Sequence, residues 1–270
     1  MIRYFILIFI FINFLQASVV IQKVQNIVGD REYQTHKALI EFLFKNENFY
    51  LANGKIKYFN MFNTLQKNGL LNLRFQRPTE VNIQFKINGN NKKGYKILSD
   101  LLQTLGYRYF FTKQLENNGK ELLWCISLKV EYMLDPVMFL KELKYSGCEL
   151  LDITKKSQYE WYYEIDFTDA SLPNVAKIQK NEKVRFKKPL KPLFLDVENT
   201  KLLQVLSRKL NRWFPDIVFF DKDLKVLKDI KIDKVQKGLK TKVPEGTKYV
   251  KITDKYNLIN IKRGLTLIVR

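Results

Sequence analysis

Three sets of side chains in this 270-residue chain have the types and spacing to do chemistry. Glu160, Glu164 and Asp166 alternate with Trp161, Tyr163, Ile165 and Phe167, so on a strand they share one face. Carboxylates two residues apart on a strand lie roughly 6.5–7 Å apart, a separation that suits an acid–base pair acting on a glycosidic bond. The solvated face of an ordinary half-buried strand shows the same alternation. Cys125 and Cys148 are the two cysteines. A disulfide between them would contribute about 3 kcal/mol by restricting the unfolded chain; the alternative is two buried free thiols. His36 is the single histidine, in Tyr33-Gln34-Thr35-His36-Lys37, which reads as an exposed helix turn. One His and two Cys cannot build a His- or Cys-rich metal cage, and any His-based triad would depend on His36 alone. With 11 glycines the chain shows no phosphate-cradling loop, nucleotide fingerprint or EF-hand loop. The residue pattern therefore assigns no catalytic residue, no metal ligand and no cofactor.

The remaining chemistry is charge. Lys and Arg number 47 against 27 Asp and Glu, a net charge of +20. Residues 177–270 hold 25 basic and 10 acidic residues, or +15, and residues 1–176 hold 22 and 17, or +5. Such a surface attracts anions and speeds encounter with acidic partners. A compositional bias toward Lys, Asn, Ile and Phe would produce the same excess with no anion to bind. The candidate interaction residues are Lys187, Lys188, Arg212, Trp213, Lys262 and Arg263. Adjacent Arg212 and Trp213 suit an interface hot spot, although an aromatic just before a core strand also plugs the open end of a sandwich. No nucleic-acid-binding motif is present. The partners expected are an envelope protein complex, an acidic partner or a glycan.

The N-terminus points to a compartment. Met1-Ile2-Arg3 is a short basic region, Tyr4–Leu15 is apolar, and Ala17-Ser18 follows as a signal-cleavage position. The layout is that of a secretory signal peptide, removed so that the chain begins near Ser18. A spanning helix needs about 20 apolar residues, and Asn13 and Gln16 interrupt this run. Leu15 is not the small residue preferred there, so an uncleaved inner-membrane anchor facing the periplasm is the alternative. The expected location is periplasmic, with membrane contact only through an uncleaved signal segment.

The elements that must position these groups divide the chain. Residues 18–76 read as a helical region, including a helix from Asp30 to about Asn46 and another at Tyr58–Gln66. Leu71–Phe75 is a short strand stopped by Pro78. Residues 77–168 give an alternating strand (Val81, Ile83, Phe85, Ile87) and a helix ending at Gly106. Strands at Tyr107–Thr112 and Glu121–Glu131 follow, then a helix capped by Asp135-Pro136, then strands at Cys148–Ile153 and Gln158–Phe167. That order is a split βαβ domain, for which the expected strand order is 4-1-3-2. Its third and fourth strands then sit two spacings apart, about 9–10 Å, which is too far for the Cys125–Cys148 bridge. Residues 169–192, with Pro173, Pro189 and Pro192, read as a linker. Residues 193–270 read as short strands with turns, Leu258–Ile261 among them, with Thr200–Leu210 open between helix and strand. The fold class is α+β: a split βαβ domain followed by a C-terminal antiparallel β-sandwich.

Ile217-Val218-Phe219-Phe220-Asp221, then Leu224–Leu227, then Val243-Pro244-Glu245-Gly246-Thr247-Lys248-Tyr249-Val250-Lys251-Ile252 resembles galactose-binding-domain-like β-sandwiches over roughly residues 193–270. The resemblance implies a sandwich that binds glycans, proteins or nothing through loops at one end, and it carries over no binding residue. The split βαβ element order is similar to that of ferredoxin-like, ring-building modules of envelope secretion machines, an analogy of fold alone. The Lys-, Asn- and Phe-rich chain as a whole resembles campylobacterial periplasmic proteins, some of which are flagellar-motor accessories. The function expected is that of a non-enzymatic periplasmic adaptor or scaffold. A peptidoglycan- or polysaccharide-binding module is the alternative, and a hydrolase using Glu160, Glu164 or Asp166 is a third.

Overall fold

The computed structural model describes residues 18–173, 175–179 and 181–270. The segment carrying Tyr4–Leu15 and Ala17 lies outside the described residues, and Ser18 is the first of them. The fold mixes helix and strand in several sheets, in keeping with an α+β class.

Five helices come first: α1 (Val19–Val28), α2 (Asp30–Thr35), α3 (Lys37–Leu43), α4 (Glu47–Tyr50) and α5 (Tyr58–Lys67). A two-residue hairpin, β1 (Leu51–Ala52) and β2 (Lys55–Ile56), precedes α5. Ser18 caps α1, its hydroxyl accepting from the Val20 amide at 3.2 Å. The helix expected from Asp30 to about Asn46 is broken at His36 into α2 and α3.

Next come β3 (Arg74–Asn88), α6 (Asn91–Thr104), β4 (Phe111–Asn117), β5 (Glu121–Tyr132), α7 (Pro136–Tyr145), β6 (Glu149–Ser157) and β7 (Glu160–Asp166). The two short strands read around Pro78 are one strand, β3, whose pairing with β5 skips between Arg74 and Thr79. Pro78 has no N–H to give the ladder, and the skip absorbs it. The Tyr107–Thr112 strand starts later, at Phe111. The Asp135 cap is as read, its Oδ1 accepting from the Val137 amide at 2.8 Å, and Asn90, read only as part of a loop, caps α6 by accepting from the Lys93 amide at 3.1 Å.

The sheet order is β4-β5-β3-β7-β6, which departs from the expected 4-1-3-2. β7 folds back on β6 as an antiparallel partner and pairs in parallel with β3, taking the place beside the first strand that the fourth was expected to hold. Trp161, Tyr163 and Ile165 point from β7 into the core, so the alternating side chains reward burial between two strands. β5 and β6 therefore lie three strand spacings apart, about 14 Å. Cys125 and Cys148 are both free thiols, and the bridge is not formed.

One face of this sheet and the N-terminal helices share a continuous core. The helical region is thus packed onto the sheet rather than standing apart. At its centre the Phe85 ring lies 5.5 Å from Tyr163, 5.7 Å from Trp124 and 6.0 Å from Phe139. α6 crosses β3 so closely that a Cβ on Gly94 would lie 2.4 Å from Ile87 Cγ2. Asp152 on β6 ties the helices down, accepting from Lys23 Nζ and from the Tyr58 hydroxyl, each at 2.7 Å.

The C-terminal part has a second core. Its strands are β8 (Ala176–Lys177), β9 (Lys183–Phe186), β10 (Leu193–Asp196), β11 (Leu202–Ser207), β12 (Pro215–Phe220), β13 (Val226–Lys231), β14 (Gly238–Lys242), β15 (Tyr249–Asp254) and β16 (Leu265–Val269). They form two sheets, β13-β12-β15-β10-β8 and β14-β11-β16-β9. Ile217, Phe219, Val250 and Ile252 from one meet Leu203, Val205, Leu265 and Leu267 from the other. The expected linker 169–192 is largely absorbed here: β8 pairs with β10, β9 pairs with β16, and Ile178 is buried in the core. Thr200–Leu210 resolves as strand β11, and Leu258–Ile261 is a 3₁₀ turn rather than a strand. The Asn257 side chain starts that turn, accepting from the Ile259 amide at 2.9 Å.

Partial burial raises the pKa of Asp152, but hydrogen bonds from Lys23 and Tyr58 outweigh it and hold the carboxyl below the usual carboxylate range. A lowered native pKa stabilises the fold above the unfolded value, about 3.9, and that contribution is lost as pH falls through the native value. Asp152→Asn is expected to cost about 1–2 kcal/mol at neutral pH. The gap to wild type, read by urea denaturation, should shrink as the pH is lowered below about 4.

Candidate functional site

The loops at one end of the C-terminal sheets enclose an open cleft of about 760 Å³. It is lined by Lys187, Lys188, Pro189, Leu190, Arg208, Lys209, Leu258, Ile259, Lys262 and Arg263. Each segment reaches the cleft for a local reason. Residues 187–190 leave the end of β9, where Lys188 takes a left-handed φ of +46° and Pro189 has no N–H to continue a ladder. Arg208 and Lys209 follow the end of β11, and Leu210 turns the chain with a φ of +72°. Left-handed backbone is uncommon for residues other than glycine and persists where the surrounding structure enforces it. The 3₁₀ turn presents Leu258 inward against the core and Ile259 outward.

Backbone contacts lock these loops together. Gly264, at φ +97°, brings the start of β16 against β9, where a Cβ would lie 2.1 Å from the Phe186 carbonyl oxygen. That approach sets Lys262 and Arg263 beside Lys187 and Lys188. Asn211 Nδ2 donates to the Gly264 carbonyl at 2.9 Å, and its Oδ1 accepts from the Arg263 amide at 3.1 Å. Asp254, buried below, accepts from the amides of Tyr256 and Asn257 and from Asn260 Nδ2 on Oδ1, and from the Phe214 amide on Oδ2, all at 2.8–3.0 Å. The loop bearing Leu258 and Ile259 is thereby fixed from its base.

The electrostatics are one-sided. Among the described residues, six cations line the cleft and no carboxylate does. Among the described residues, none of the ion pairs involves Lys187, Lys188, Arg208, Lys209, Lys262 or Arg263. Arg208 Nη1 donates to the Arg263 carbonyl at 3.4 Å, an uncharged partner. Leu190 is 94% exposed and Ile259 65% exposed at the rim. Among the described residues, no aromatic ring lines the cleft.

Four of the six candidate interaction residues, Lys187, Lys188, Lys262 and Arg263, meet here. Arg212 is exposed but lies outside the lining. Trp213 is fully buried, and its Nε1 donates to the Thr253 carbonyl at 2.9 Å. It is the plug rather than an interface residue, because a bulky indole before β12 fills the gap between the sheets. Sequence reasoning missed Arg208, Lys209, Leu190 and Ile259. Arg208 and Lys209 sit at the end of the segment left open between helix and strand, and reading it as a strand would have placed them in a loop at this end.

The other candidates are spread apart. On β7, Glu164 sits 3.2 Å from Lys86 Nζ and accepts from Asn88 Nδ2 at 2.9 Å. Glu160 lies 3.4 Å from Lys156 Nζ, and Asp166 accepts from the amide and hydroxyl of Thr168 at 2.8 and 2.6 Å. Each carboxylate has a local partner on the open face of the sheet. Burial pushes the Cys148 thiol up to about 12, with the charge on Asp166 adding to it, and burial also raises Cys125. Neither forms a ready thiolate at neutral pH. His36 is exposed at the α2–α3 joint, 3.7 Å from Glu32. Among the described residues no cluster of three or more His, Cys, Asp or Glu could hold a metal. Among the same residues no helix is long and apolar enough to cross a membrane.

Comparison with known proteins finds no matching family model, no matching curated protein and no matching solved structure. The cleft geometry itself is testable. Gly264→Ala forces a Cβ onto the Phe186 carbonyl in backbone that disfavours side chains. It should lower stability by about 2 kcal/mol or more in urea denaturation. An unchanged transition would mean that the β9–β16 contact does not fix the cleft.

Proposed function

We propose that this protein is a non-enzymatic docking protein of the bacterial envelope, an adaptor or scaffold whose C-terminal loops form the docking face. The observation that carries the reading is the cleft: six cations, without counter-charges among the described residues, interspersed with the exposed aliphatics Leu190 and Ile259. Unpaired like charges held at fixed positions repel, and an anionic counterpart relieves that repulsion. Leu190 and Ile259 supply the apolar contact, and the cations steer approach. Two further observations support a role without chemistry of its own. The carboxylates of β7 are engaged by neighbours, and both thiols are held protonated.

Within this reading the five-stranded sheet is a split βαβ unit with β7 inserted next to its first strand. The two C-terminal sheets form a β-sandwich of the galactose-binding-like kind, with its loop end as the working end. The apolar N-terminal run exports the chain, so the folded part works in the periplasm, and a flagellar-motor accessory is one specific version. A glycan ligand is less well served, because sugars favour aromatic platforms and the cleft lining has none among the described residues.

In-cell crosslinking of the full chain followed by mass spectrometry tests the reading. Crosslinks from Lys187, Lys188 and Lys262 to components of one envelope assembly are expected. Migration as a lone monomer, with crosslinks only to cytosolic proteins, would contradict it.

A further inference from the structure

We infer that the cleft docks onto the surface of an anionic lipid bilayer, its cations on headgroup phosphates and its rim aliphatics in the outer acyl layer. This rests on the cleft being the docking face, and it extends membrane contact beyond the N-terminal segment.

Four features select a bilayer over an acidic protein segment or an acidic glycan. The cations are all exposed and, among the described residues, none takes part in an ion pair, so their positive charge faces outward at the rim. Leu190 at 94% exposure and Ile259 at 65% project beside them, and Leu210 at 72% flanks the same end. Aliphatic tips ringed by Lys and Arg are the composition that lies in a headgroup interface, because Lys and Arg stems run along apolar surface while their heads stay with phosphate. Protein hot spots favour Trp, Tyr and Arg, and glycans favour aromatic faces, yet among the described residues no aromatic ring lines the cleft. Four of the six cations are Lys, which suits a field of mobile phosphates better than a fixed bidentate carboxylate partner.

Part of the cleft wall is also held in place. Gly264, Asn211 and Asp254 fix the backbone of two of the three segments, so little ordering is lost on contact. A bilayer gains from such a preset array because each Lys or Arg near an anionic surface contributes about a fivefold increase in partition.

The experiment labels the full chain at position 190 with an environment-sensitive dye, using Leu190→Cys in a Cys125→Ser, Cys148→Ser background. A probe at the tip reads local insertion whatever the N-terminal run does. Vesicles of phosphatidylglycerol and phosphatidylcholine should shift the emission to the blue, and pure phosphatidylcholine vesicles should not. Lys187→Gln, Lys188→Gln and Lys262→Gln together should weaken the response about 100-fold at about fivefold per cation, with unchanged circular dichroism. An equal shift on neutral vesicles overturns the proposal, as does none on anionic ones. In the latter case, a response to soluble polyglutamate would leave the docking face intact and make its counterpart an acidic protein segment. No response to either would remove the docking reading as well.

Discussion

Six like charges around one cleft repel one another, and the fold accommodates them because a close backbone approach and side-chain hydrogen bonds hold two of the three loops that carry them. Gly264 against the Phe186 carbonyl joins β16 to β9, and Asn211 clasps the turn at Arg263 and Gly264. Asp254 gathers four hydrogen bonds beneath the 3₁₀ turn. These are short-range hydrogen bonds, four of them on the buried Asp254 carboxylate, so salt weakens them less than it screens the repulsion they oppose.

The division into two cores explains where that strain can be tolerated. The N-terminal helices and the five-stranded sheet bury a large aromatic cluster around Phe85 and are pinned at Asp152. The C-terminal sheets close over their own core, plugged by Trp213. The two parts meet through polar contacts such as Asn90 Nδ2 to Asp223 Oδ1 at 2.9 Å. The loop end of the second part carries the concentrated charge, and its stability rests on a core that the charges do not enter.

Local signals were legible where they were strong. Alternation identified β3 and β7 with the correct faces inward, and the cap at Asp135 lies where hydrogen-bond chemistry puts it. Long-range pairing was not legible. Nothing in residues 158–167 says that β7 will intrude between β3 and β6, because a strand buried on one face looks the same at an edge as in the centre. β8 and β9 were read as linker because two- and four-residue edge strands near prolines carry little periodicity. Trp213 was read both ways, and only burial decides between plug and anchor. The cleft was half visible as basic residues, but the convergence of three segments far apart in sequence is a product of tertiary structure.

The central claim is that crowded, uncompensated cations at the cleft are held against their own repulsion. Thermal unfolding of Lys187→Gln/Lys262→Gln at low and at high salt tests it most directly. The account predicts that the variant melts higher than wild type at low ionic strength and that added salt erases the difference. A variant that melts at or below the wild-type temperature at low salt would contradict it.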